Sequence, residues 1–199
     1  MKNLKKYLLR GTPSLLLPLG AGFVMASSAD IRAALGMGFA LVVSTVLSSI
    51  VISLIRNLIP DKFHLPIYIL IVTGFVTLVD MLMSAYAPKV VEMLGVHLAA
   101  LAVSAVPYRE AEECSGHNGE KVTIISSLTT GIFFTLVMVI CALVREVIGN
   151  ASFWGIQIGF LANYKISAIA GVFGGYLVLA IVLAVIRKVG EKFVKEEEN

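Results

Sequence analysis

The chain has 199 residues, of which 58% are hydrophobic and 15% charged. That balance excludes an ordinary water-soluble domain and a disordered tail. The net charge of +3 is small and dispersed, so it calls for no nucleic-acid partner, and two cysteines, Cys114 and Cys141, cannot make a disulfide framework.

What remains is a protein built for a bilayer. A helix needs about 20 apolar residues to cross a hydrocarbon core of roughly 30 Å. Six segments approach this, at about 13–29, 34–55, 66–86, 92–107, 122–144 and 166–186. The linkers are short, so residues 1–199 read as one membrane domain with short tails.

The first segment follows Lys2, Lys5, Lys6 and Arg10 and imitates a signal peptide. Cleavage is not expected, because nothing soluble follows to be exported. Pro18, Gly20 and Gly22 interrupt its helix. The second segment ends in Leu54-Ile55-Arg56-Asn57-Leu58-Ile59-Pro60. The third carries Asp80, the one acidic residue deep in an uninterrupted span. A carboxylate near the bilayer centre costs at least ~2.5 kcal/mol, which makes Asp80 a candidate for an ion pathway, set against a hydrogen-bonded buried carboxyl.

The fourth segment is short, carries Glu92 and His97, and reaches only to Pro107. His97 reads as a packed polar residue. The polar loop 108–121 follows. Its Cys114-Ser115-Gly116-His117 spacing lacks a second ligand pair and reads as solvated loop. The fifth segment contains Cys141 and ends in Leu143-Val144-Arg145-Glu146-Val147-Ile148-Gly149. Arg145 and Glu146, adjacent on a helix, point about 100° apart. They read as snorkelling groups at the membrane surface, ahead of a stop at Gly149. Trp154, with Phe153 and Phe160, fits an outer aromatic belt. The sixth segment leads into a mixed basic and acidic tail. The methionines on these spans, such as Met37, Met81 and Met138, read as packing and lipid contact.

Charge sets the topology. With an inside N-terminus, only Arg32, Lys89, Arg145 and Lys165 of the 16 basic residues fall outside. Both termini are therefore expected in the cytoplasm. The segments ending at Arg56 and Arg145 share one pattern, 89 positions apart, and run in opposite directions. The expected fold is all-α, with six transmembrane helices as a 3+3 inverted repeat. Its halves run from about 12 to 88 and from about 90 to 188, and the first and fourth helices are interrupted. Interrupted helices at matching positions point to a site at the midplane, formed here by Pro18, Gly20 and Gly22 with Ser104 and Ala105.

Several stretches resemble the RnfE/NqrD group of membrane subunits. They are Ile52–Pro60 (ISLIRNLIP), Val79–Ala87 (VDMLMSAYA), Val144–Gly149 (VREVIG) and Ala34–Ala40 (ALGMGFA), in register over about residues 20–155. The resemblance implies a subunit of an Rnf complex or a Na⁺-translocating NADH:quinone oxidoreductase. It implies six spans in an inverted repeat and a homologous partner of opposite orientation, of the RnfA or NqrE type. Further membrane, flavin and iron–sulfur subunits would complete the complex. It also implies a [2Fe–2S] cluster at the midplane, held by one cysteine from each interrupted helix of both partners.

The sequence departs from the group at those ligands. The first cysteine turn aligns with Gly20-Ala21-Gly22-Phe23, where Gly22 replaces the thiol. The second aligns with Val103-Ser104-Ala105, where Ala105 replaces it. Ser104 is one position away, about 100° around a helix. Ser126-Ser127 stands where the group often has Asp-Gly. The expected protein is thus a non-catalytic subunit of an Rnf/Nqr-like ion-translocating electron transport complex, with no cluster, metal or other cofactor of its own and with flavins in partner subunits. The alternative is a six-span substrate-binding or ion-conducting transporter subunit without a redox role. Aromatic residues at mid-span are few, which disfavours a substrate pocket.

Overall fold

Starting at Ile31, an uninterrupted apolar run winds into α1, Ile31–Ile55, in the computed structural model of the chain. The structure describes residues 30–55, 58–60, 63–110, 120–149, 152–153, 156–157 and 171–198. The first interrupted segment, with Pro18, Gly20 and Gly22, lies outside the described residues, as do Arg56, Cys114, Trp154 and Phe160. The carbonyl of Asp30 accepts the first helical bond of α1 from the Ala34 amide at 3.0 Å.

Helix α2, His64–Tyr86, buries a single stripe of Tyr68, Val72, Val76, Val79 and Met83 at helical spacing. Its other faces leave Leu65, Ile69, Leu70 and Leu78 exposed. A bilayer solvates such faces and water does not. At Ala87 the chain turns, and Pro88 opens α3, Pro88–Leu94. A proline costs little there, because a first-turn amide needs no helical acceptor.

Helix α3 ends at Gly95, whose φ of 52° and ψ of −133° suit only glycine. Then follow α4, Val96–Ala100, and a 3₁₀ turn, Leu101–Val103. Ser104 is extended (φ −70°, ψ 142°), and α5 spans Ala105–Glu110. The stretches Pro88–Leu94 and Val96–Glu110 bend by 74° at the break. Leu94, Leu98, Leu101 and Val106 are buried, and each piece of this segment contacts α2.

Helix α6, Glu120–Val144, continues into a π-helical turn, Arg145–Gly149. Two strands of two residues each, β1 (Ser152–Phe153) and β2 (Ile156–Gln157), pair antiparallel. They add a small hairpin to the expected all-α fold. Helix α7 runs Val172–Glu198.

The expected second, third and fifth spans are continuous helices long and apolar enough to cross a membrane, over Ile31–Ile55, His64–Tyr86 and Thr123–Gly149. The fourth is broken, as its sequence suggested. Pro107 does not end it, however. It sits inside the first turn of α5, and the interruptions are Gly95 and Ser104. Of the sixth span, the described apolar part is the shorter Phe173–Val185.

The chain divides into two compact units, residues 1–34 with 137–199, and residues 35–136. Within the second unit α1 and α6 run antiparallel at close approach. A Cβ on Gly131 would lie 2.9 Å from Val42 Cγ2 and 3.2 Å from Val42 Cα, and one on Gly38 would overlap the Thr135 side chain. A Cβ on Gly36 would overlap Val90 at the start of α3. Glycine therefore sets how close these helices come.

Gly131→Ala should destabilise the protein by about 1–3 kcal/mol, because the Val42 backbone cannot rotate away. Gly38→Ala meets only a side chain, so Thr135→Ala should restore much of its loss. Thermal denaturation of the purified protein checks both, and equal loss in the single and double variants would rule out the Gly38–Thr135 contact as the cause.

Candidate functional site

The break in the fourth segment places Ser104 and Ala105 where the helical hydrogen-bond pattern stops. The Ser104 amide still donates to Leu101 O at 3.1 Å. Its hydroxyl is buried and has no hydrogen-bond partner among the described residues. Ala105 is the first residue of α5. Buried Leu101 and Val106 flank the pair, so the break joins apolar side chains to one hydroxyl. Glu92 and His97, on α3 and α4, are exposed. His97 is thus a surface group and not the packed polar residue expected. Glu110, at the end of α5, is 4% exposed, and its Oε1 has no hydrogen-bond partner among the described residues. Sequence pattern gave no sign of that burial, because Glu110 adjoins a charged loop.

These residues do not fit a share in an iron–sulfur cluster. Such clusters are held by thiolates. The segment Pro88–Glu110 contains no cysteine, and Ala105 has no donor atom. Cys141 is a free, buried cysteine within α6. Among the described residues no three of His, Cys, Asp or Glu come together to hold a metal ion.

Asp80 is half-buried on α2, at the edge of the buried stripe between Val79 and Met83. It is six residues from Tyr86, or roughly 9 Å along the helix at 1.5 Å per residue. It therefore lies slightly nearer the middle of the helix, at Phe75, than its end.

Arg145 and Glu146 depart most from the sequence reading. They do not snorkel: Arg145 is 6% exposed and Glu146 1%. The helix does not stop at Val144. Its π turn carries both residues inward, and such wide turns recur at functional sites. The two side chains reach different elements. Glu146 Oε2 accepts a hydrogen bond from the Ile31 amide at 3.0 Å, across 115 residues of sequence. That amide opens α1 and has no helical acceptor, so a carboxylate there both completes a bond and meets the positive end of the helix dipole. Arg145 Nη2 donates to Gly171 O at 3.5 Å. The same carbonyl accepts from the Gly175 amide at 3.1 Å, just ahead of α7. Asp30 and Cys141 are near enough to Arg145 to act on it electrostatically. All of these residues belong to the unit of residues 1–34 and 137–199.

Comparison with known proteins accords with this architecture. The family described as Rnf-Nqr subunit, membrane protein, matches residues 1–186. The E component of the Na(+)-translocating ferredoxin:NAD(+) oxidoreductase complex of Acetobacterium woodii is 29% identical over 186 residues, covering 94% of this chain and 95% of that protein. The E component of the proton-translocating ferredoxin:NAD(+) oxidoreductase complex of Clostridium ljungdahlii is 29% identical over 192 residues, covering 94% and 90%. The E component of the ion-translocating oxidoreductase complex of Buchnera aphidicola is 32% identical over 162 residues, covering 79% and 67%.

Glu146→Ala should free the first amide of α1 and cost about 1–3 kcal/mol, whereas Glu146→Gln keeps an acceptor and should cost less. Hydrogen exchange at Ile31 reads the bond directly: it should accelerate in the alanine variant and change little in the glutamine variant. Equal protection in all three proteins would show that Glu146 does not hold that amide. Gly95→Ala should destabilise by at least about 1 kcal/mol because of its positive φ, a loss that thermal denaturation measures.

Proposed function

Because this chain belongs to the Rnf-Nqr family of membrane-protein subunits, we propose that it is an integral membrane subunit of an ion-translocating electron transport complex. The observation that carries the reading is the near end-to-end match to proteins named as the E components of such complexes. The chain is read as a component that acts beside a homologous membrane subunit of the RnfA or NqrE type. Flavin- and iron–sulfur-bearing subunits supply the redox groups. Its six spans form a 3+3 inverted repeat in the cytoplasmic membrane, with both termini inside. The Arg56 and Arg145 patterns and the distribution of basic residues support that arrangement.

The chain supplies no cluster ligand, since Gly22 and Ala105 occupy the positions where the resembling subunits carry cysteine. Its own contribution is to position a partner against an interrupted helix and to exclude water from the break, where buried Leu101 and Val106 stand. Asp80 is the chain's fixed negative charge for a passing cation. The relatives' names include both Na⁺ and proton translocation, so the reading extends to a small cation and not to one species.

Purification of the tagged chain from its native membrane tests the assembly. A second membrane subunit of the same family should co-purify, along with flavin-bearing subunits. Recovery of the chain alone, with ion flux in liposomes, would replace this reading with an autonomous carrier. In the intact complex Asp80→Asn should lower coupled ion transport by about tenfold, equivalent to ~1.4 kcal/mol on a barrier. Unchanged transport would assign Asp80 a structural role.

A further inference from the structure

The helix pair α1–α6 buries hydroxyls of two kinds. Ser44, Thr45 and Ser48 turn back on their own helix: Ser44 Oγ donates to Leu41 O at 3.1 Å, Thr45 Oγ1 to Leu41 O at 2.7 Å, and Ser48 Oγ to Thr45 O at 3.1 Å. A helical hydroxyl commonly satisfies itself this way. Ser49, Ser53 and Ser127 do not. They are 0%, 6% and 0% exposed, and their Oγ atoms have no hydrogen-bond partner among the described residues.

Register brings these three to one seam. Gly38 faces Thr135, and Val42 faces Gly131. Advancing along α1 therefore means retreating along α6. At helical spacing of three or four the shared face continues through Thr45, Ser49 and Ser53 on α1 and through Ser127 and Thr123 on α6. All of these lie in the unit of residues 35–136. The seam is closed by glycine contact at Gly38 and Gly131. Beyond that contact it is lined with hydroxyls.

Each unsatisfied hydroxyl can donate one hydrogen bond and accept others. Hydrocarbon can do neither. A bare cation would engage the oxygens and leave the hydroxyl hydrogens unmatched. It would also need a counter-charge, yet no Asp or Glu occurs from Leu35 to Ile55 or from Thr123 to Val144. Water matches both roles without charge, and buried water is stable where two to four polar groups surround it. We propose that the α1–α6 seam is an internal water-binding site, in which a file of ordered waters engages Ser127, Ser49 and, a helical turn further along, Ser53. This inference is independent of the redox reading above, since it uses neither the broken helix nor any partner subunit.

Cryo-electron microscopy of the intact complex, at a resolution that shows ordered water, tests the site in sodium and in potassium buffers. Density bonded to at least two of the three hydroxyls is expected in both salts and should vanish in the Ser49→Ala/Ser127→Ala variant. Ser127→Ala should lower the thermal midpoint by about 2–4 °C. Thr77→Ala should leave it unchanged, because the exposed Thr77 hydroxyl bonds back to Thr73 O at 2.9 Å. An empty seam with the serines rotated onto their own helical carbonyls would overturn the proposal. So would density confined to sodium, which would mark a cation, or a midpoint raised by Ser127→Ala, which would mark a dry and unpaired hydroxyl.

Discussion

In hydrocarbon every backbone amide and carbonyl must find its partner within the protein, and several irregularities among the described residues can be followed to such a partner. Where α2 ends, the Ala87 amide bonds to Met83 O at 2.7 Å. Where α3 ends, the Gly95 amide bonds to Val91 O at 2.8 Å, and Ser104 returns its amide to Leu101 O. The start of α1 has no such local solution for the Ile31 amide, so a distant carboxylate, Glu146, supplies it. The carbonyl ahead of α7 serves its own helix and Arg145 together. Breaks within the fourth segment are thus closed by the segment, and the starts of α1 and α7 are engaged by a π turn from another part of the chain.

That division explains what the sequence reveals. The continuous spans follow from length and apolarity: α1 and α6 contain no proline, and Pro66 sits in the first turn of α2. The fourth segment announces its irregularity through glycine and proline, but the residue types locate the kink only when their different physics is weighed. Pro107 is harmless in a first turn, whereas Gly95 holds a backbone angle other residues avoid. Glu146 was not legible as a cap. Its partner is 115 residues away, and no local pattern encodes that reach. Its burial depends on the helix continuing as a wide turn past Val144, a difference of a few residues that turns Arg145 and Glu146 from surface groups into buried ones. Likewise the sequence displays every serine of α1 and α6, but which hydroxyls turn back and which face the seam depends on rotamer and register.

Glycine geometry and apolar packing set the shape of the interrupted segment. Gly95 sets one bend, extended Ser104 sets the next, and Leu94, Leu98, Leu101 and Val106 pack the pieces down with α2. In a domain folded by its metal, loss of the ligands removes the fold. Here apolar contacts and glycine geometry hold the pieces of the segment.

The placement of charge completes the argument for a component over an autonomous carrier. From Leu35 to Ile55 and from Val122 to Val144 the spans contain no charged residue. Arg145 and Glu146 lie at one end of α6, where each is engaged with a helix start. Asp80 lies between the middle and the end of α2, half-buried at the rim of its packed stripe. The interior of these helices offers hydroxyls, which orient dipoles but do not neutralise a cation. An ion moving through the depth of the bilayer would need further negative charge or oxygen ligands, and a surface contributed by a second membrane component is the economical source of them.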